Sequence, residues 1–183
     1  EQLFGLYDQD LRTKYKTDFV TGKLKKGATD AIVTIQLYGN TKTDIRETSL
    51  WTQITTAANM QAYILKKYGS AVLPLTATFG QSMIPMLRAS EMYLIAIEAA
   101  PGTNEAQKKW DQFRSARNLS SLQLPPDVQS KQLMLAKEYQ REFLGEGQSF
   151  YAYKRINAPK SAILWAQAAA ILNYVVPLPV SEF

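Results

Sequence analysis

Between residues 84 and 155 the chain carries amphipathic stretches whose charged residues border the apolar face instead of opposing it. That pattern narrows the folds available, because an unpaired charge carried into a core costs several kcal/mol and each such charge needs a partner. A first helix is expected from Pro85, whose missing N–H has no intrahelical partner at the first helical position and whose φ is already helical. At 100° per residue, Met86, Leu87, Ser90, Tyr93, Leu94 and Ile97 share one arc, and Arg88, Glu91, Ile95 and Glu98 share the arc beside it. Pro101-Gly102 stops this helix, and Asn104 with Gln107 three residues on resembles a capping box opening the next.

The second helix places Ala106, Trp110, Phe113 and Arg117 on one face, so a guanidinium sits among apolar residues. Its expected partner is Glu91 or Glu98 across the helix pair, because the planar fork of arginine holds a carboxylate bidentately while its stem packs. Two helices joined by so short a turn make an αα-hairpin. A third helix follows Pro125-Pro126-Asp127, with Leu133, Leu135, Ala136, Tyr139, Gln140, Phe143 and Leu144 on a wide face and Lys137, Glu138, Arg141 and Glu142 on the other. It breaks at Gly145-Glu146-Gly147, and a short amphipathic run resumes over residues 150–155. At the break Gly147 is expected at positive φ with Gly145 still helical, and Glu146 is expected to accept from a free backbone N–H. Phe150 with Tyr151 or Tyr153 should then fold back on Tyr139 and Phe143.

The order and spacing of these landmarks resemble the C-terminal signature of the SusD/RagB family of outer-membrane nutrient-binding lipoproteins. Pro85, Arg88, Glu91, Tyr93, Leu94 and Glu98 are similar to the helix with which that signature opens, and Arg114 and Arg117 to the arginine pair closing its second helix. Arg141, Glu142, Phe143, Glu146, Gly147, Phe150, Tyr151, Lys154 and Arg155 resemble the family's most specific motif, a charged helix running into a Gly-Glu-Gly turn and an aromatic segment. Pro177, Pro179 and Glu182 resemble its end. The chain departs from the pattern at Ala152, where the family usually has Asp, and at Ile97, where it usually has Ala. The resemblance implies a mainly α fold, with a TPR-like αα-hairpin core (an α-α superhelix), a small β-hairpin and long irregular segments. It also implies a cell-surface component that binds oligosaccharide or polysaccharide for a SusC-like TonB-dependent outer-membrane transporter. The N-terminal lipid anchor and roughly the first half of a family member are then expected outside this chain, and with them much of the glycan site.

The rest of the chain is less regular. Residues 14–20 and the β-branched run 31–38 are expected to pair as a hairpin turning at 22–27, and residues 50–66 to form a helix with Ile54, Ala57, Ala58, Ala62 and Leu65 on one side. Residues 72–79 should be extended, the Ala-rich residues 161–173 helical, and the Pro-bearing residues 175–180 extended. One domain over 1–183 is expected, divided into an irregular part at 1–83, the helical core at 84–155 and a C-terminal segment at 156–183.

Composition removes several chemistries. With no Cys and no His among 183 residues, disulfides, thiol chemistry, the commonest acid/base catalyst and the commonest metal ligand are all excluded, and neither a cofactor nor a metal is expected. No apolar run is long enough to span a membrane. The net charge of +5 is spread along the chain, its densest cluster being Lys23, Lys25 and Lys26 between glycines, and no nucleic-acid module is visible. Glu138 and Glu142 lie one turn apart, and a pair of carboxylates is what glycoside hydrolysis uses, which makes a glycosidase one alternative. Lys137 and Arg141 flank them, however, and ion pairing on a partly solvated face is the preferred reading. No catalytic residue is assigned. Sugars stack their C–H faces on aromatic rings, so Trp51, Tyr63 and Tyr68 in the irregular part are the glycan-stacking candidates. Arg88, Glu91, Glu98, Arg117, Arg141, Glu142, Glu146, Gly147 and Arg155 are read as structural. The other alternative is a helical-repeat scaffold that binds protein and has no glycan site of its own.

Overall fold

The computed structural model describes residues 2–7, 31–55, 61–65, 83–164, 166, 169 and 171–175. In chain order these form β1 (Gln2–Tyr7), the π-helical α1 (Ala31–Leu37), α2 (Ile45–Leu50), β2 (Trp51–Thr55), β3 (Gln61–Leu65) and β4 (Met83–Arg88). Then follow α3 (Ala89–Ala99), α4 (Thr103–Ser115), α5 (Val128–Glu142), α6 (Gln148–Arg155) and one 3₁₀ turn, Lys160–Ala162. The fold is mainly α, with small two-stranded antiparallel sheets formed by β1 with β4 and by β2 with β3.

The helical core forms as its periodicity predicts. A three-residue link at 100–102 turns α3 onto α4, and α5 packs against both α3 and α6. Leu94 and Ile97 of α3, Ala106, Trp110 and Phe113 of α4, and Leu135 and Tyr139 of α5 meet in one buried cluster, with Phe143 and Ala152 closing it. Trp110 is fully buried and stacks on Phe113 at 5.9 Å and 6° between planes. Removing a ring so enclosed costs about 3–5 kcal/mol in other cores, so this cluster is the main source of cohesion in the helical region. Asp127 caps α5, its side chain accepting from the Ser130 N–H at 2.7 Å.

Four local expectations give way to tertiary pairing. Residues 83–88 are a strand, not the first turn of a helix, because β1 supplies backbone partners. Pro85 lies opposite Gly5 in this narrow sheet, where a missing donor is tolerated, and the helix starts only at Ala89. Residues 31–37 are helical, not a strand, which brings Val33 and Leu37 onto one side, where both are buried with Tyr38. The helix expected over 50–66 is instead the hairpin of β2 and β3, with Trp51 opposite Leu65 and Thr55 opposite Gln61. There the β-branched Thr52, Ile54, Thr55 and Ile64 favour the pleated conformation. In place of a helix over 161–173 the described residues hold only the 3₁₀ turn, which the chain leaves at Ile163 in an extended conformation. Ile163 and, farther on, Tyr174 pack separately against Ala136, Tyr153 and Ala158.

The start of α4 also differs. Gly102 holds the N-cap position, so Asn104 and Gln107 form no capping box. Gln107 instead accepts from the Leu124 N–H at 2.8 Å and donates to the Leu122 carbonyl at 3.1 Å, tying the segment before α5 to α4. The strand and turn expected over 14–27 and the extended segments at 72–79 and 176–180 lie outside the described residues.

Candidate functional site

Where α2, β4, the end of α4 and the C-terminal half of α5 converge, arginines and carboxylates interlock in a buried network. Asp44 caps α2 and grips Arg46, accepting from its backbone N–H at 2.9 Å, its Nε at 3.0 Å and its Nη2 at 2.7 Å. Held so, Arg46 points Nη1 into α5, where it donates to Glu138 Oε2 and Glu142 Oε2 at 3.1 Å each. One helical turn between the two glutamates allows a single nitrogen to reach both. Arg117, just beyond α4, donates from Nε to Glu142 Oε2 at 2.8 Å and from Nη1 to the Phe113 carbonyl at 2.9 Å, its guanidinium 3.5 Å above the Phe113 ring. Arg88, where β4 becomes α3, donates to Glu142 Oε1 at 2.9 Å and to Glu146 Oε1 at 2.8 Å. Arg141 closes the outer edge, donating to Glu138 and to the Leu37 carbonyl.

Among the described residues the charges balance. Asp44, Glu138, Glu142 and Glu146 are matched by Arg46, Arg88, Arg117 and Arg141, and the carboxylate side chains are at most 3% exposed. Burial pushes the Glu142 carboxyl up, but the Arg117 hydrogen bond and the charges of Arg117, Arg46 and Arg88 more than reverse this and hold it at about 2. Burial likewise opposes the charge on Arg46, and its hydrogen bonds to Asp44 with the charges of Glu138, Asp44 and Glu142 override it and raise its pKa. Such a network links elements far apart in sequence and leaves its carboxylates committed to guanidinium groups. Glu138 and Glu142 therefore do not stand as a free acid and base flanking a substrate.

Several partners differ from those expected. Arg117 is bound to Glu142, not to Glu91 or Glu98, because it lies past the end of α4, beside the C-terminal half of α5. Glu98 instead takes a two-pronged bond from Arg155 of α6, at 2.6 and 2.7 Å, and a third from Gln132 of α5 at 3.0 Å. Glu138 and Glu142 are buried, not partly solvated, since Arg46 arrives from outside α5 to compensate them. Glu146 reaches the Arg88 guanidinium. Gly147 has φ 78° as expected, but Gly145 also lies in the left-handed region at φ 80° instead of continuing the helix. Of the aromatics after that turn, Tyr153 folds back, donating to Gln140 at 2.6 Å, while Phe150 and Tyr151 stay exposed and meet edge to face. Asp44 and Arg46 were missed from the sequence. Asp44 carries an N-cap signal ahead of a short helix, whereas nothing local marks Arg46 as buried.

On the other side of α5, Glu91, Ile95 and Glu98 of α3 face Gln148, Tyr151 and Arg155 of α6 across a cleft of about 580 Å³, with Tyr139 between them. Of the aromatic candidates, Trp51 and Tyr63 lie half-buried together against Val33, Leu37 and Tyr38, and the Trp51 Nε1–H donates to the Tyr38 hydroxyl at 3.2 Å. Burial of that hydroxyl raises the Tyr38 pKa to about 12. Tyr68 lies outside the described residues.

A family model described as the SusD family matches residues 10–173. The chain belongs to the SusD family. The resemblance read from Arg88, Arg117, Arg141, Glu142, Glu146 and Gly147 thus has a physical counterpart in this SusD-family chain, whose arginines and glutamates at those positions are members of one buried network. Neither the curated proteins nor the solved structures searched contain a significant match. Among the described residues no helix is long and apolar enough to cross a membrane.

Proposed function

We propose that this chain is part of a non-enzymatic, cell-surface glycan-binding component that captures oligosaccharide and hands it to a SusC-like TonB-dependent transporter in the outer membrane. In this reading a lipid anchor provides the attachment to the membrane. The observation that carries the reading is membership of the SusD family over residues 10–173. It is supported by the commitment of Glu138 and Glu142 to Arg46, which suits a scaffold better than a hydrolase. Trp51 and Tyr63 are proposed to serve the glycan site from β2 and β3, together with Tyr68. Retention of the anchored, full-length protein on immobilised polysaccharide is the direct test. Retention that weakens in Trp51→Ala supports the proposal, and loss of a labelled oligosaccharide to hydrolysis overturns the non-enzymatic part of it.

The second reading is a helical scaffold whose ligand is another protein. The exposed Met92, Tyr93 and Ile95 of α3 favour it, because apolar side chains left on one helix are available to a partner. Co-purification with the transporter without any polysaccharide retention selects this reading over the first.

A further inference from the structure

The cleft between α3 and α6 has an unequal charge balance. Glu98 and Arg155 neutralise each other through their two-pronged bond. Glu91, on the same wall, has no ion pair and no hydrogen bond among the described residues. Its pKa is raised, first by burial and then by the Glu146 carboxylate, so the ionised form is held at a cost that a cation would relieve. The Tyr139 hydroxyl, whose own pKa burial lifts to about 12, feels the charges of Glu91 and Glu98 in one direction and of Arg155 in the other, and has no hydrogen-bond partner among the described residues. At the rim Tyr151 is 68% exposed with Phe150 edge-on to it at 5.7 Å, and Ile95 on the facing wall is 46% exposed.

An uncompensated carboxylate in an apolar-walled cleft, with an electron-rich ring at its mouth, is the complement of a cation carried on an aliphatic stem. The charge would pair with Glu91, the stem would lie along Ile95 and Ala152, and the face of Tyr151 would attract the same cation. The exposed apolar rim of Ile95 and Tyr151 extends beyond what a small amine covers, and a buried anchor ringed by apolar contacts is how polypeptides dock. We propose that the cleft between α3 and α6 is a docking pocket for a lysine or arginine side chain of a partner polypeptide. This does not rest on the glycan reading, since the charge and the rim come from α3 and α6 alone.

The test is a calorimetric and NMR titration of the chain at low ionic strength with the blocked tripeptide acetyl-Gly-Lys-Gly-amide, its arginine counterpart, and the uncharged norleucine analogue. Saturable binding of the basic peptides is expected, with shift changes confined to α3, α6 and Tyr139, and about tenfold weaker binding of the norleucine peptide. Glu91→Gln, which keeps the side chain's shape, should weaken the basic peptides by about tenfold with no loss of melting temperature, and Tyr151→Ala should weaken them several-fold. Three results would overturn the proposal: equal affinity for the norleucine peptide, an unchanged titration in Glu91→Gln, or no saturable binding of any basic peptide at millimolar concentration. Binding of n-butylammonium as tight as that of the lysine peptide would overturn the assignment to a polypeptide.

Discussion

The two ends of α5 hold their charges by opposite means. At the C-terminal end, Glu138 and Glu142 are at most 3% exposed, and arginines from three other parts of the chain bind them. Near the N-terminal end, Gln132 and Lys131 meet Glu98, whose partner Arg155 has a side chain 50% exposed, and the neighbouring Glu91 has no ion pair among the described residues. Desolvation explains the difference. A buried carboxylate without its guanidinium is prohibitively unstable, so the inner network must balance, whereas water screens the outer Glu98–Arg155 pair.

If that contrast is right, removing a shared inner partner should have the largest effect of all. Arg46→Ala strands Asp44, Glu138 and Glu142 together, and a loss of about 3–5 kcal/mol is expected from the denaturant midpoint. A loss below about 1 kcal/mol would mean that water replaces the guanidinium and that the inner network is no more demanding than the outer pair.

Acid should then distinguish the two ends. The folded-state pKa of Glu142, at about 2, lies below the ordinary carboxylate value of 4.5, so its contribution is fully present above about pH 4.5 and is lost as pH falls toward 2. The shift corresponds to about 3 kcal/mol, and Glu142→Gln should flatten this acid limb of the stability profile as well as lowering stability at neutral pH. An acid limb unchanged in that variant would assign the acid sensitivity elsewhere.

The turn that carries Glu146 to Arg88 is next in size. Because Gly145 and Gly147 both have positive φ, alanine at either position should cost about 1 kcal/mol, and the two losses should be similar. Space is not the issue at Gly147, where a Cβ would meet nothing within 4 Å, so the loss there measures backbone conformation alone. A Gly147→Ala variant as stable as the parent would show that the turn relaxes without strain.

The smallest effect belongs to the outer pair. Arg155→Ala should cost about 0.5 kcal/mol, and less in high salt, because half of that side chain lies in water. A loss as large as that of Arg46→Ala would erase the contrast between the two ends of α5.

Much of the helical region was legible without coordinates. Period and punctuation placed α4, α5 and α6, the start of α5 after Pro125-Pro126-Asp127, the break at Gly145-Glu146-Gly147 and the core residues Leu94, Trp110, Phe113 and Tyr139, because those signals act within a turn or two of chain. Spacing also marked Arg88 and Arg117 as charges in need of partners, and with Glu142 and Glu146 they carried the family resemblance. Which partner each would take was decided only in three dimensions. Arg117 could reach Glu91, Glu98 or Glu142 on chemistry alone, and the position where α4 ends selects Glu142. Arg46 became the hub because a short capped helix, distant in sequence, delivers it to α5. The same holds for β1 with β4 and for β2 with β3, where the weak propensities of five or six residues yield to whichever segment offers backbone hydrogen bonds and a face to bury. Periodicity and capping are local properties of the chain and can be read along it. Charge pairing and strand pairing depend on what the fold brings alongside, and those were settled by the tertiary structure.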